Sequence, residues 1–384
     1  MTRFDEQGWN ARPVIDWLLD QGRFLDGLDD MVPALGDRLL QAGAPVWRLR
    51  LASRTLHPLI TAVTSAWERD VKAIEPVRTL HGIEQSPAYI GSPMQFINRT
   101  RAPYRKRLLD PLGQADHEIL HELKARGATD YYGLPMPFSD GNRAILLIAT
   151  DDPQGFSDLD LGNFRMVAGV LGPIAEVFSA RRVALAVAEA YLGRRTARRV
   201  LGGQITRGDI ETIPAAILFS DIRGWTGLNA AKPADQVLAL ANRYFECLAG
   251  PVEDHGGEIL KFIGDGVLAI FETGTDDETG HQACGQALRA AQAALVNELP
   301  LEFGIGLHFG DVLYGNIGSQ TRIDFTVLGQ AVNIAARIEG ACRDLRKPLL
   351  YSQAVADRLD GPSALAATPV LRGVSGPTPV FAPG

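Results

Sequence analysis

The sequence predicts an α+β / α/β protein with two folded parts. The N-terminal part is an α+β domain, and the C-terminal part is one mainly antiparallel sheet carrying helices, with a helical linker between them. Three observations predict this. The chain has 384 residues, more than one typical domain. From Pro214 onward, strand-like and helix-like segments alternate in a βαββαβ-like order. Between the two parts, apolar residues recur every three or four positions from Phe164, the period of a helix face. The boundaries that follow are 1–180, a linker over 181–213, and 214–384.

In residues 1–180 the clearest unit is "DYYGLPMPFSDGNRAILLIATDD". Two apolar runs flank Ser139-Asp140-Gly141-Asn142, and an Asp-Gly pair there favours a tight hairpin because both residues tolerate positive φ. An antiparallel sheet follows. The next stripe, Phe164, Val167, Leu171, Ile174 and Phe178, continues to Leu185, Ala188 and Leu192 with Arg181 interrupting it. It reads either as a domain-capping helix followed by an amphipathic linker or as a parallel dimer stalk. Pro173 should kink it or mark a helix start. The stretch "GRRTARRVLGGQITRGDIETIP" is Arg-rich and punctuated by glycine, so it reads as a linker. Nucleic-acid binding is the other reading, but no aromatic residue after Tyr191 interleaves with the arginines.

The third part begins with the buried strand "AAILFSDI" and the helix "ADQVLALANRYFECLAGPVEDHGG". The hairpin "ILKFIGDGVLAIF" comes next, then a helix near Gly280 to Glu298 and the strand "LEFGIGLHFGDVLYGNIG". A helix from Ala331 to about Cys342 and short strands at "PLLYS" and "TPVFAP" complete it. This order predicts a single sheet with its helices packed on one face.

The formal charge of −7 gives no global attraction to nucleic acid or anionic lipid. Cys247, Cys284 and Cys342 form no CxxC pair, so neither a disulfide framework nor a zinc knuckle is indicated. "MTRFDEQGWNARP" lacks the apolar core of a signal peptide, and the apolar run around Met166 to Ala180 is too short to span a bilayer. The expectation is a cytoplasmic protein with no membrane insertion and no nucleic-acid partner.

The chemistry concentrates on two acids. Asp221 ends the strand "AILFSD", and Asp265 sits between two glycines at the bend of the hairpin. If these strands are neighbours, both carboxylates emerge at one sheet edge, where they suit a hard divalent cation that draws its other ligands from water and phosphate. Gly264 and Gly266 would allow the tight turn and the approach of a triphosphate. A plain type I′ turn is the alternative for Gly-Asp-Gly alone.

Taken together and in order, "ILFSDIRGWTGL", "GGEILKFIGDGVLAIF" and "GQAVNIAARIE" resemble the signature blocks of the class III adenylate and guanylate cyclase catalytic domain. The resemblance covers 214–384 and implies a ferredoxin-like fold. It implies that Asp221 and Asp265, with the backbone carbonyl of Ile222, bind two divalent cations, Mg²⁺ or Mn²⁺. Lys261 lies four residues before Asp265, which by strand alternation places both on one face. In the family this position reads the base, and lysine resembles the adenylate-type choice. Thr326 aligns with the second base-reading position, where many members carry Asp. Asn333 and Arg337, spaced i and i+4 on a helix, take the ribose-orienting and transition-state roles. Solvent-exposed lysine and arginine are the alternatives for Lys261 and Arg337. The family's late triphosphate-binding lysine has no clear counterpart, and Arg372 is the basic residue at hand. The resemblance further implies ATP as substrate and a head-to-tail homodimer that shares its sites. His255 and His308 are read as structural.

The segment from Ala128 to Phe178, with its hairpin, "GFSDLDL" and exit helix, resembles the end of a GAF sensory domain. That implies a small-molecule effector for residues 1–180, and dimerisation alone is the alternative. For the whole chain the reading is an adenylate cyclase. The alternatives are a guanylate cyclase or a catalytically silent nucleotide-binding module.

Overall fold

The computed structural model of the protein describes residues 8–55, 60–71, 74–274, 276–297, 299–374 and 376–384. The first seven residues and Glu298, named in the expectations above, lie outside the described residues. The chain divides into two compact units, 1–187 and 188–384.

The first unit begins with helices α1 (Arg12–Asp20) and α2 (Leu28–Gln41) and strands β1 (Arg48–Arg54), β2 (Ile60–Glu68) and β3 (Val77–Leu80). Helix α3 (Pro93–Thr100), strand β4 (Tyr104–Arg107) and helix α4 (Glu118–Ala125) follow. Strands β5 (Asp130–Pro137) and β6 (Arg143–Thr150) lead into helix α5 (Asp158–Leu192). The sheet is antiparallel, in the order β3-β2-β1-β6-β5-β4.

Alternation along β1 divides its side chains between two layers. Leu49 and Leu51 join Leu35, Leu146, Phe164 and Leu171 in a core with α1, α2 and α5. The opposite face packs Ile145 and Leu147 against Ile97 of α3 and Leu120 and Leu123 of α4.

The expected hairpin joins β5 to β6. Only Gly141 takes the left-handed region, at φ 84. Asp140 instead accepts the Asn142 N–H at 2.8 Å, a side-chain turn that removes the need for positive φ there. Pro173 does not start a helix, because α5 runs through it from Asp158. Phe164, Val167, Leu171, Ile174 and Phe178 are buried as the stripe predicts, whereas Leu185 and Tyr191 are exposed.

The second unit contains α6 (Arg194–Leu201), β7 (Ile210–Ile222), α7 (Trp225–Ala231), α8 (Ala234–Asp254) and the hairpin β8 (Glu258–Ile263) with β9 (Gly266–Glu272). Then come α9 (Asp277–Val296), β10 (Phe303–Gly318), β11 (Ile323–Leu328), α10 (Gln330–Asp344) and β12 (Leu349–Ser352). The chain ends with α11 (Gln353–Ala356), β13 (Ser363–Ala367) and β14 (Val380–Pro383). The strand order is β13-β14-β12-β10-β7-β9-β8, and β11 pairs with the C-terminal part of β10. The β10–β12 pair is parallel, which makes the sheet mixed.

The Arg-rich stretch, expected as part of a helical linker, carries α6, which packs into this unit. Thr196 and Ala197 of α6 are buried, the Thr196 N–H donates to Glu258, and Arg199 pairs with Glu211 and Glu272. Those carboxylates occupy an arginine that the nucleic-acid reading would need free. One expectation is corrected here, because the helices cover both faces of the sheet. Ala216, Leu218 and Val267 pack on α8 and α9, while the alternate residues Ala215, Ile217 and Leu268 pack with Ala331 and Ala335 of α10. A central strand buried on both sides must be apolar at every position, as "AAILF" is.

Candidate active site

Strand β7 lies between β9 and β10, with Asp221 opposite Gly266 on one side and Gly304 on the other. Buried residues up to Ile222 anchor the strand, so Asp221 is held at its end. The neighbouring β8–β9 turn is two residues long, since Ile263 pairs with Gly266. Gly264 is left-handed at φ 65 and Asp265 is not, a pattern that matches a II′ turn rather than I′. A side chain on Gly264 would meet nothing within 4 Å, so that side of the turn is open. A Cβ on Gly266 would lie 3.3 Å from the carbonyls of Ile263 and Ser220.

This register sets Asp221 opposite Gly266, directly beside Asp265, and the charge of Asp265 acts on Asp221. Burial raises the Asp221 pKa to about 6, helped by Asp265, while the Ile222 N–H and Arg223 oppose the rise. Two neighbouring carboxyls either share a proton or share a cation. Among the described residues no group of three or more His, Cys, Asp or Glu is gathered as for a metal. Two carboxylates fit a hard divalent ion such as Mg²⁺ that takes its remaining ligands from water and substrate phosphate.

Lys261 lies on β8 and Asp265 in the turn that follows it, and the register shift between Ile259 and Lys261 falls before both. Lys261 is half-buried opposite Leu268, and its Nζ lies 3.7 Å from Asp324 Oδ2 on β11. Thr326, two residues along β11, is buried, and its Oγ1 has no hydrogen-bond partner among the described residues.

Asn333 and Arg337 are both exposed on α10, whose inner side buries Ala331, Ala335 and Ile338. The two expected sets are not brought together within one chain. Among the described residues, no hydrogen bond or ion pair connects Asn333 or Arg337 to Asp221 or Asp265. Arg372 is exposed in a turn after Val370. His255 Nδ1 lies 2.7 Å from the Pro251 carbonyl, and His308 Nδ1 lies 2.8 Å from Ser352 Oγ. Burial lowers the His308 pKa to about 4, so it is neutral near pH 7. Both contacts suit structural histidines.

Sequence reasoning missed the ground beneath the acids. Glu339 is buried on α10, and its pKa is raised to about 7 by burial and then by the charge of Asp221. A Cβ on Gly304 would lie 2.5 Å from both Glu339 Oε1 and Arg223 Nη2, so glycine is what admits these side chains over β10. Glu339 falls within the apolar stripe of α10, between Ile338 and Cys342, and a charge in such a stripe was the signal available. On the other face, the Tyr244 hydroxyl donates to Ser220 Oγ at 2.8 Å, bracing the residue before Asp221.

Residues 210–362 match the family described as the adenylate and guanylate cyclase catalytic domain. An adenylate cyclase of Anabaena cylindrica is 35% identical over 167 residues, 41% of this chain and 33% of that one. An uncharacterized protein of Mycobacterium tuberculosis (strain ATCC 25618 / H37Rv) is 37% identical over 177 residues, 44% of this chain and 32% of that one. The match thus spans about one third of the length of these curated relatives. Among solved structures, a bacterial light-regulated adenylyl cyclase is 31% identical, with 45% of this chain and 91% of that one covered and a TM-score of 0.39. Among the described residues no helix is long and apolar enough to cross a membrane.

Proposed function

We propose, from a chain whose residues 210–362 form an adenylate and guanylate cyclase catalytic domain, that it converts ATP to 3′,5′-cyclic AMP and pyrophosphate at sites shared by two copies of the chain. The observation that carries this reading is the strand register that sets Asp221 beside Asp265, next to the open side of Gly264. Asp221, Asp265 and the Ile222 carbonyl would hold two divalent cations, Mg²⁺ or Mn²⁺, which when bound acidify the ribose 3′-hydroxyl and neutralise the triphosphate. The ribose O3′ forms a bond to the α-phosphorus as the bond to the pyrophosphate oxygen breaks. The 3′-hydroxyl proton passes to solvent, and no protein nucleophile is needed.

Lys261 donates to N1 of adenine, and the unpartnered Thr326 hydroxyl accepts from the exocyclic amine. Asn333 orients the ribose, and Arg337 stabilises charge growing on the α-phosphate. Gly264 and Gly266 keep the turn narrow for the triphosphate, with Arg372 as a candidate for its far end. The exposure of Asn333 and Arg337 supports delivery of these two by the second copy, in a head-to-tail homodimer. Residues 1–187 act as a GAF-like sensory unit that answers a small-molecule effector through α5.

A second reading, GTP as substrate, is favoured by Asp324 beside Lys261, since a carboxylate there accepts from guanine N1–H. Initial rates on ATP and GTP with Mg²⁺ or Mn²⁺ decide between the two, and ATP is expected to win. The shared site is tested by mixing Asp221→Ala with Arg337→Ala, each inactive alone. Random pairing leaves one intact site in half of the dimers, so about a quarter of wild-type activity should return. No recovery from confirmed mixed dimers would contradict the shared site.

A further inference from the structure

The first unit holds a cavity of about 620 Å³ between one face of its sheet and the α3 and α4 side. That volume suits a small organic ligand. Its walls are partly apolar, with Met94, Tyr131, Ile145 and Leu147 among the lining residues. The inner strand β1 nevertheless sends arginines to this face at alternate positions. Arg48, Arg50 and Arg54 all line the cavity, and Arg143 of β6 joins them.

Most of these cations are already engaged. Arg48 lies 3.7 Å from Glu68, Arg54 lies 3.6 Å from Glu84, and Arg143 donates to the Asn98 carbonyl at 2.8 Å. Glu118 and Glu122 of α4 also line the cavity. Arg50 differs from the others. Among the described residues its guanidinium has no ion pair or hydrogen bond, and its Nε is buried without an acceptor.

A buried N–H that lacks an acceptor costs more than an ordinary hydrogen bond returns, so a ligand that supplies the acceptor is favoured. A second strain points the same way, because burial first and then the charge of Arg50 depress the pKa of Arg48. An anion between these side chains would relieve both. The planar guanidinium fork matches carboxylate or phosphate oxygens in pairs, and the apolar wall would hold the rest of the molecule.

We propose that this cavity binds a small organic anion, a carboxylate or a phosphate carried on an apolar body, with Arg50 as the side chain that reads the charge. The site lies wholly within the first unit and is independent of whether the second unit makes a cyclic nucleotide.

Titration calorimetry on the full chain tests it, at fixed ionic strength and without nucleotide. The probes are benzoate, phenyl phosphate, inorganic phosphate and benzamide, the neutral isostere of benzoate. At least one of the two aromatic anions should bind about tenfold or more tightly than benzamide. Phenyl phosphate should bind better than inorganic phosphate, and the reverse order would mean a bare phosphate site and overturn the organic ligand. Arg50→Gln should abolish the preference for charge, and Arg243→Gln, on an exposed helix position of the second unit, should leave it unchanged. The proposal fails if benzamide binds as well as both aromatic anions, if the preference survives Arg50→Gln, or if neither aromatic anion binds below about 10 mM. Should Arg50→Gln not fold by near-UV circular dichroism, the ratio of the better aromatic anion to benzamide on the unaltered protein decides.

Discussion

Asp130 in the first unit and Asp221 in the second are both carboxylates at the end of an inner strand, and their surroundings differ sharply. Asp130 is fully buried and accepts from Arg105 at 2.7 Å, from the Tyr131 N–H at 2.9 Å and from the Phe156 N–H at 3.1 Å. Asp221 meets a second carboxyl, Asp265, and is pushed towards its protonated form. Asp130 has its cation built into the fold, whereas Asp221 needs one from outside. A carboxylate left short of positive charge at an open edge marks a place where binding supplies the missing partner.

The largest effect should separate the two acids by what they control. Asp221→Ala is expected to lower cyclic nucleotide formation by about 10³-fold or more while leaving the melting temperature unchanged or higher. Asp130→Ala should instead cost roughly 3–5 kcal/mol, because it strands the Arg105 charge and two N–H groups. Calorimetry and initial rates on both variants check this, and a reversal of the two outcomes would break the contrast.

A smaller effect sharpens it through pH. Asp221, at about 6, and Glu339, at about 7, have native pKa values above those of the unfolded chain, so the folded protein holds protons that the unfolded chain has lost. Without divalent cations, stability is therefore fully present below about pH 4 for these groups and is lost as pH rises from about 4 to 7. Melting temperatures across that window should fall less steeply for Asp221→Asn than for the wild type. Mg²⁺ should recover stability mainly above pH 6, where Asp221 can ionise. Parallel curves would show that Asp221 is not held above the ordinary carboxylate range.

The smallest expected effect concerns the brace under the site. Tyr244→Phe removes the hydrogen bond to Ser220 and should cost about 1 kcal/mol in chemical denaturation. A larger loss of rate than of stability would mean that the brace also aims Asp221.

Much of the site was legible because its signals are local. The strand ending at Asp221, the two-residue turn carrying Asp265 and the i, i+4 spacing of Asn333 and Arg337 each lie within a few residues. The one-residue register shift between Ile259 and Lys261 shows in the pairing with β9 and nowhere in the order of residues. Strand β11 escaped notice because Ile323, Asp324 and Leu328 are exposed while the adjacent Thr326 and Val327 are both buried, so it does not alternate as a half-buried strand does. The Arg-rich stretch looked like a linker because Glu272 and Glu258, which hold Arg199 and the Thr196 N–H, are distant in sequence.

The sequence by itself determined the β5–β6 hairpin, the main strands and helices of the second unit, where the two acids stand in the chain, and that this unit carries a cyclase signature. Period, turn chemistry and motif spacing are short-range properties. Tertiary structure alone decided that helices cover both faces of the second sheet, that Glu339 and Arg223 meet over Gly304, and that Arg50 faces a cavity without a counter-charge. Each of these depends on which distant side chains share a volume, and the Coulomb and desolvation energies that follow vary with distance through space rather than along the chain.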